Sequence, residues 1–214
     1  MALQGVLFDL DGTVANTLGD LAAATNATLA HFGFATRPEE NFCRYVGNGA
    51  RKQVERALGR PVPPETFEAL YAWYLQYYNT HACLRTRPYD GLPAVLNALR
   101  QRGLRLGIVT NKPQPMADQI AHALYEGVFE VVYGAREDYP LKPDPASARL
   151  AMAALDLTPA NTLFVGDSAV DVQTAHNAGL PCVGVAWGFR GRAELTAAGA
   201  DQVIDSPAEL LSIT

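Results

Sequence analysis

The sequence predicts an α/β fold: a doubly wound, mostly parallel sheet forming a Rossmann-like core, with a helical cap domain inserted after the first strand. Three observations predict it. Short apolar runs alternate with helical patterns along most of the chain. Acidic or polar residues stand at the C-terminal ends of several runs, the edge at which open α/β sheets bind ligands. One stretch near the N-terminus carries helical periodicity throughout and no strand pattern.

The first element is the apolar run Gly5 to Phe8, closed by Asp9-Leu10-Asp11-Gly12-Thr13 with the glycine as terminator. It reads as a buried strand that delivers side chains to its end. From about Thr17 to Arg87 the pattern is of amphipathic helices, around Leu18 to Phe32, Ala50 to Leu58 and Glu65 to Tyr78. Arg60-Pro61-Val62-Pro63-Pro64 breaks this region internally, and Arg85-Thr86-Arg87-Pro88-Tyr89-Asp90-Gly91 marks the return. The expected division is therefore a core of residues 1–16 and 88–214 and a cap of residues 17–87. Phe67, Tyr71, Tyr74 and Tyr78 recur at helical spacing, with Trp73 and Tyr77 beside them, a pattern of packing rather than of a ring-binding surface. Leu92, Val95, Leu96 and Leu99 share a face of the next helix, which Gly103 closes. Further strands are expected at Arg105 to Thr110, Phe129 to Tyr133, Thr162 to Gly166, Pro181 to Ala186 and Gln202 to Ile204. Ser206 and Glu209 have capping-box spacing.

Composition narrows the function classes. At 214 residues, with 49% hydrophobic and 18% charged residues, the chain has the means to bury a core. A net charge of -5 without any Lys/Arg block gives no electrostatic footprint for nucleic acid. A site for an anionic ligand must then be made locally positive by a metal ion or a few placed cations. Cys43, Cys83 and Cys182 are widely spaced, outside any metal-ligand pattern, and read as reduced thiols of a cytoplasmic protein. The N-terminus lacks a basic start and a long apolar stretch, and no run approaches the roughly 20 residues of a membrane span. The expectation is a soluble protein, monomer or homodimer, acting on a small molecule.

The strand period of two sends Asp9 and Asp11 to the same side at the end of the first strand. Two carboxylates in one site repel, so the pair calls for a divalent cation or a nearby lysine. Three companions follow at other sheet-edge positions: Thr110-Asn111-Lys112, Lys142-Pro143-Asp144 and Gly166-Asp167-Ser168-Ala169-Val170-Asp171. Lys112, followed by Pro113, reads as bounding its loop. His31, His81, His122 and His176 are scattered without clustering, which points to surface or packing roles.

Together these four motifs resemble those of the haloacid dehalogenase-like hydrolase superfamily, over the whole chain and including the inserted cap. The resemblance implies a phosphatase. It makes Asp9 the nucleophile and Asp11 the general acid and base. It implies Mg²⁺ held by Asp9, Asp167 and the backbone carbonyl of Asp11. Lys142 would balance charge on Asp9 and the phosphoryl group, with phosphate oxygens held by the Thr110 hydroxyl and the amides of Gly12 and Asn111. Asp171 either orients a metal-bound water or supplies charge at a helix start.

The cap decides the ester. Tyr45 to Leu58, with paired glycines opening a helix, is similar to bacterial phosphoglycolate phosphatases, as are Thr110 to Pro113 and Trp187 to Gly191. That resemblance implies 2-phosphoglycolate as substrate, with Gly49 and Arg51 as cap contacts and Lys52 and Arg44 as further candidate cations. After the first motif, Val14-Ala15-Asn16-Thr17 replaces the commoner Leu-Val-Asp-Ser of the family, which bears on the cap entrance rather than the chemistry. Sugar phosphates, nucleotides or pyrophosphate as substrates, a phosphomutase, and a non-catalytic phosphate-binding module remain alternatives. A carbon-halide hydrolase fits less well, because both Asp11 and Asp167 are present.

Overall fold

A parallel six-stranded sheet forms the centre of the protein, as seen in the computed structural model, which describes residues 3–214. In chain order the elements are β1 (Gly5–Phe8), β2 (Ala15–Asn16), α1 (Leu18–His31), α2 (Phe42–Tyr45), α3 (Ala50–Leu58), α4 (Pro64–His81), β3 (Arg87–Pro88) and α5 (Leu92–Gln101). They continue with β4 (Arg105–Pro113), α6 (Gln114–Tyr125), β5 (Val131–Ala135), α7 (Ala146–Ala154), β6 (Thr162–Gly166), α8 (Ala169–Ala178), β7 (Cys182–Val185), α9 (Gly191–Ala197), β8 (Gln202–Ile204) and α10 (Leu210–Ile213). The sheet order is β5-β4-β1-β6-β7-β8. Strands thus leave β1 in both directions, and the crevice of a doubly wound sheet opens at its C-terminal end.

All four residues of β1 are buried, as expected of a parallel strand covered on both faces. The two-residue alternation distributes its side chains: Val6 and Phe8 join one apolar cluster, and Leu7 joins another with Val109, Phe164, Met152 and Val172. Helix α5 buries Leu92, Val95, Leu96 and Leu99. Helix α8 starts at a capping box in which Ser168 and Asp171 exchange side-chain and backbone bonds.

Helices α1 to α4 form the inserted cap, framed by the antiparallel pair β2 and β3. Those two strands, each two residues long, are too short to leave an alternation pattern in the sequence. In α4 the buried residues are Phe67, Leu70, Tyr74 and Tyr78, so the aromatic stripe packs inward, with Tyr74 and Tyr78 stacked 5.6 Å apart. Ring packing of this kind is worth roughly 0.5–1.5 kcal/mol beyond area burial.

Candidate active site

Three strand ends meet at the crevice. Strand β1 hands over Asp9, its neighbour β4 carries Thr110, Asn111 and Lys112, and β6 on the other side delivers Asp167. The loop before α7 adds Lys142. All of these are buried, with Asp9 the most accessible at 7%.

Lys142 spends every donor it has. Its Nζ donates to Asp9 Oδ1 at 2.8 Å, Asp171 Oδ1 at 2.7 Å and the Val109 carbonyl at 2.9 Å. Burial works against its charge, but Asp171 and Asp9 outweigh burial and hold its pKa above that of an ordinary lysine. Burial pushes the Asp9 carboxyl up to about 7, against the pull of Lys142 and with Asp171 and Asp11 adding to the rise. Asp167 is raised well above the usual carboxylate range, first by burial and then by the charges of Asp171 and Asp9.

Asp9, Asp167 and Asp171 each bring an oxygen within 4.8 Å of the others. Three buried carboxylates facing the one ammonium of Lys142 leave negative charge uncompensated, which a hard divalent cation would neutralise. Asp167 Oδ2 accepts the Phe189 amide at 2.7 Å, whereas its other oxygen and Asp9 Oδ2 accept no hydrogen bond among the described residues. Both oxygens of Asp171 are committed, one to Lys142 and the other to the Ser168 amide (3.1 Å) and hydroxyl (2.6 Å). The donor set fits Mg²⁺ through Asp9 and Asp167, and Asp171 braces Lys142 and caps α8.

Gly12 differs from the expectation. Its amide already donates to the Ala15 carbonyl at 2.9 Å, because the chain after Asp11 closes into a tight turn. What the glycine supplies is space: φ is +89°, and a Cβ there would stand 2.3 Å from Asp167 Oδ2. The amides of Leu10 and Asp11 donate to no acceptor among the described residues. Asn111 braces the Lys142 loop, its side chain accepting from the Lys142 amide (2.8 Å) and donating to the carbonyls of Lys142 (3.0 Å) and Gly47 (3.1 Å). The β4–β5 ladder shifts register between Val109 and Pro113, around Thr110 to Lys112.

Residues 6–185 match the family of haloacid dehalogenase-like hydrolases. The chain belongs to that family. It is an enzyme, a phosphoric monoester hydrolase. It is 35% identical to the N-acetylmuramic acid 6-phosphate phosphatase of Pseudomonas aeruginosa, over 100% of this chain and 95% of that one. It is 33% identical to the phosphoglycolate phosphatase of Pasteurella multocida, with 96% of each chain covered. A solved structure of a predicted phosphoglycolate phosphatase from Haemophilus somnus superposes with a TM-score of 0.90 at 29% identity, covering 99% of this chain and 97% of that one. CbbY from Rhodobacter sphaeroides, solved in complex with phosphate, superposes with a TM-score of 0.80 at 27% identity, covering 97% and 96%.

In this hydrolase the cap closes over the motifs. The inner cavity, of about 30 Å³, lies between Asp9, Asp11 and Lys112 of the core and Gly49, Gln53 and Tyr78 of the cap. An outer groove of about 450 Å³ runs on from it past Arg51, Lys52, Tyr71, Arg136 and Leu141. The expected cap cations do not reach the inner cavity. Arg51 is held by Glu68 through two bonds of 2.8 and 2.9 Å and lies over the rings of Phe67 and Tyr71. Lys52 pairs with Glu55 at 2.6 Å. With Ala50 and Gln53 facing the core, the helix turn points positions 51 and 52 outward.

Lys112 is the residue that the sequence reading passed over. It is buried, and its Nζ donates to Asp11 Oδ1 at 2.8 Å and to the Tyr78 hydroxyl at 2.6 Å. Thr17, at the start of the cap, donates to the same Asp11 oxygen at 2.6 Å. Strand alternation offered a signal for Lys112, since it places residues 110 and 112 on one side. Pro113 masked that signal by suggesting a loop. Nothing local marks Thr17, six residues from Asp11, or the hydroxyl of Tyr78, whose partner is 34 residues away.

Proposed function

We propose that this chain hydrolyses a small phosphate monoester through an aspartyl-phosphate on Asp9, and that the ester is 2-phosphoglycolate. Asp9 attacks phosphorus, the bond from phosphorus to the ester oxygen breaks, and that oxygen leaves with the electron pair and takes a proton from Asp11. A water then attacks the same phosphorus and gives its proton to Asp11. The phosphorus–Asp9 bond breaks, releasing phosphate and restoring Asp9. Thr17 and Lys112 hold one oxygen of Asp11, leaving the other for this proton. Lys142 fixes Asp9 and offsets charge on the phosphoryl group. A bound Mg²⁺, held by Asp9, Asp167 and the Asp11 carbonyl, would reduce repulsion between nucleophile and phosphate.

The observation that carries the reading is Asp9 itself: a buried carboxylate at the switch point, one oxygen fixed by Lys142 and the other unspent, facing the inner cavity. At about 30 Å³ that cavity is far smaller than the several hundred Å³ of an ordinary ligand pocket, so the cap must lift to admit an ester. A second reading, N-acetylmuramic acid 6-phosphate as substrate, is favoured by the Pseudomonas aeruginosa relative and by the outer groove, which has room for a sugar. The test is phosphate release from a panel of both esters, sugar phosphates, nucleotides and pyrophosphate, with and without Mg²⁺, beside Asp9→Asn. Mg²⁺-dependent turnover led by 2-phosphoglycolate and lost in Asp9→Asn is expected. Turnover led by the sugar ester would replace the substrate and keep the mechanism, and turnover surviving in Asp9→Asn would sink the mechanism.

A further inference from the structure

We infer that Lys112 is the receptor for a carboxylate carried on the leaving group one carbon from the ester oxygen, and so selects short phosphorylated acids over neutral esters. The inference rests on the phosphatase reading and adds to it a residue that discriminates.

An ammonium has three N–H donors. Lys142 uses all three on protein oxygens, but Lys112 uses two, on Asp11 and Tyr78, and its third meets no acceptor among the described residues. Lys112 lines the inner cavity, with its side chain only 1% exposed. A buried cation with an unspent donor is held ready for an anion. Its surroundings reinforce this. The hydroxyls of Tyr78 and Tyr74 accept bonds from Lys112 and Gln53, so each keeps its own proton to donate into the same cavity. Leu21, Val46 and Ala50 supply an apolar wall that hydrogen-bonds nothing.

Distance sets the length of the acid. Lys112 Nζ stands 2.8 Å from Oδ1 of Asp11, whose other oxygen serves the ester oxygen in the proposed reaction. The span from the leaving oxygen to Lys112 thus crosses two hydrogen bonds and the Asp11 carboxyl group between them, roughly 5–8 Å. A carboxylate separated from the ester oxygen by one carbon fits that span. A neutral group would leave the ammonium without an acceptor, and a carboxylate on a far side of a sugar ring would fall beyond it.

The test reads binding as well as turnover. Dissociation constants for 2-phosphoglycolate and for ethyl phosphate, which replaces the carboxylate by a methyl group, are measured by calorimetry with Mg²⁺ on Asp9→Asn, with and without Lys112→Gln. KM and kcat for both esters are measured on the otherwise native Lys112→Gln and Lys112→Arg proteins. Inhibition by inorganic phosphate and far-ultraviolet circular dichroism check that each variant folds. The preference for 2-phosphoglycolate should fall roughly tenfold or more in Lys112→Gln, the scale of one hydrogen bond to a charged group, through affinity and KM. Lys112→Arg should keep most of it. Equal losses for both esters would overturn the inference and leave Lys112 as a support for Asp11, as would a parent protein that binds both esters alike. A Lys112-dependent preference in binding without any phosphate release would instead remove the phosphatase reading and keep the receptor. If Lys112→Gln does not fold, the Lys112→Arg and parent preferences decide.

Discussion

Single atoms govern the space around Asp167. Gly12 approaches its carboxylate so closely that a methyl group would stand 2.3 Å from Oδ2, and the backbone at φ +89° is one that residues with a Cβ rarely adopt. Gly12→Ala should therefore displace Asp167 and weaken Mg²⁺ binding by roughly 10–100-fold, the loss typical when the support of a metal ligand is disturbed. A Mg²⁺ titration of phosphate release checks this, and an unchanged titration would mean that Asp167 does not hold the metal. At the same scale, Asp171 shows why a residue's neighbours settle its role. Both of its oxygens are occupied, so it holds Lys142 and the first turn of α8 at once.

Between elements, cap and core are joined by a few polar contacts at the C-terminal edge of the sheet. Lys112 reaches Tyr78 of α4, Asn111 reaches the Gly47 carbonyl, and Arg190 donates to the Val46 carbonyl at 2.7 Å. Each is worth about 0.5–3 kcal/mol net, with the charged donors Lys112 and Arg190 in the upper part of that range, a strength compatible with a cap that opens. Arg190→Ala should speed hydrogen exchange between α2 and α3 roughly tenfold or more, and raise KM. Exchange unchanged in that segment would show that Arg190 does not help to hold the cap down. Most of these elements were legible, because burial on one helix stripe or in a parallel strand leaves a repeating pattern. Helix α3 falls on Ala50–Leu58 as expected, and α4 runs a turn past its expected end. The pair β2 and β3 was not legible, since two residues cannot show a period.

For the whole molecule, the balance of buried charge ties stability to pH and metal. The Asp9 carboxyl is raised from 3.8 to about 7 in the folded chain, and Asp167 is raised in the same direction. Between those values the folded state holds a proton that the unfolded state has released, so this contribution to stability is lost as pH rises from about 4 to about 7. A divalent cation replaces the protons. The gain in Tm on adding Mg²⁺ should accordingly be larger at pH 8 than at pH 5.5, as measured by thermal unfolding with and without a chelator. An equal gain at both values would argue that these carboxylates are not the ligands.

The sequence by itself determined the sheet, the helical insertion and the positions of Asp9, Asp11, Thr110, Lys142 and Asp167 at strand ends or in an edge loop. Those features follow from local periodicity and from the rule that a doubly wound sheet gathers its ligand groups at one edge. Only the tertiary structure decided which groups have donors and oxygens to spare. It turned Arg51 outward to Glu68, spent the Gly12 amide on Ala15, and brought Lys112, Thr17 and Tyr78 onto or beside Asp11. The reason is physical: which partner a donor or acceptor finds depends on how the turns and elements around it pack, and packing leaves no mark at either residue alone.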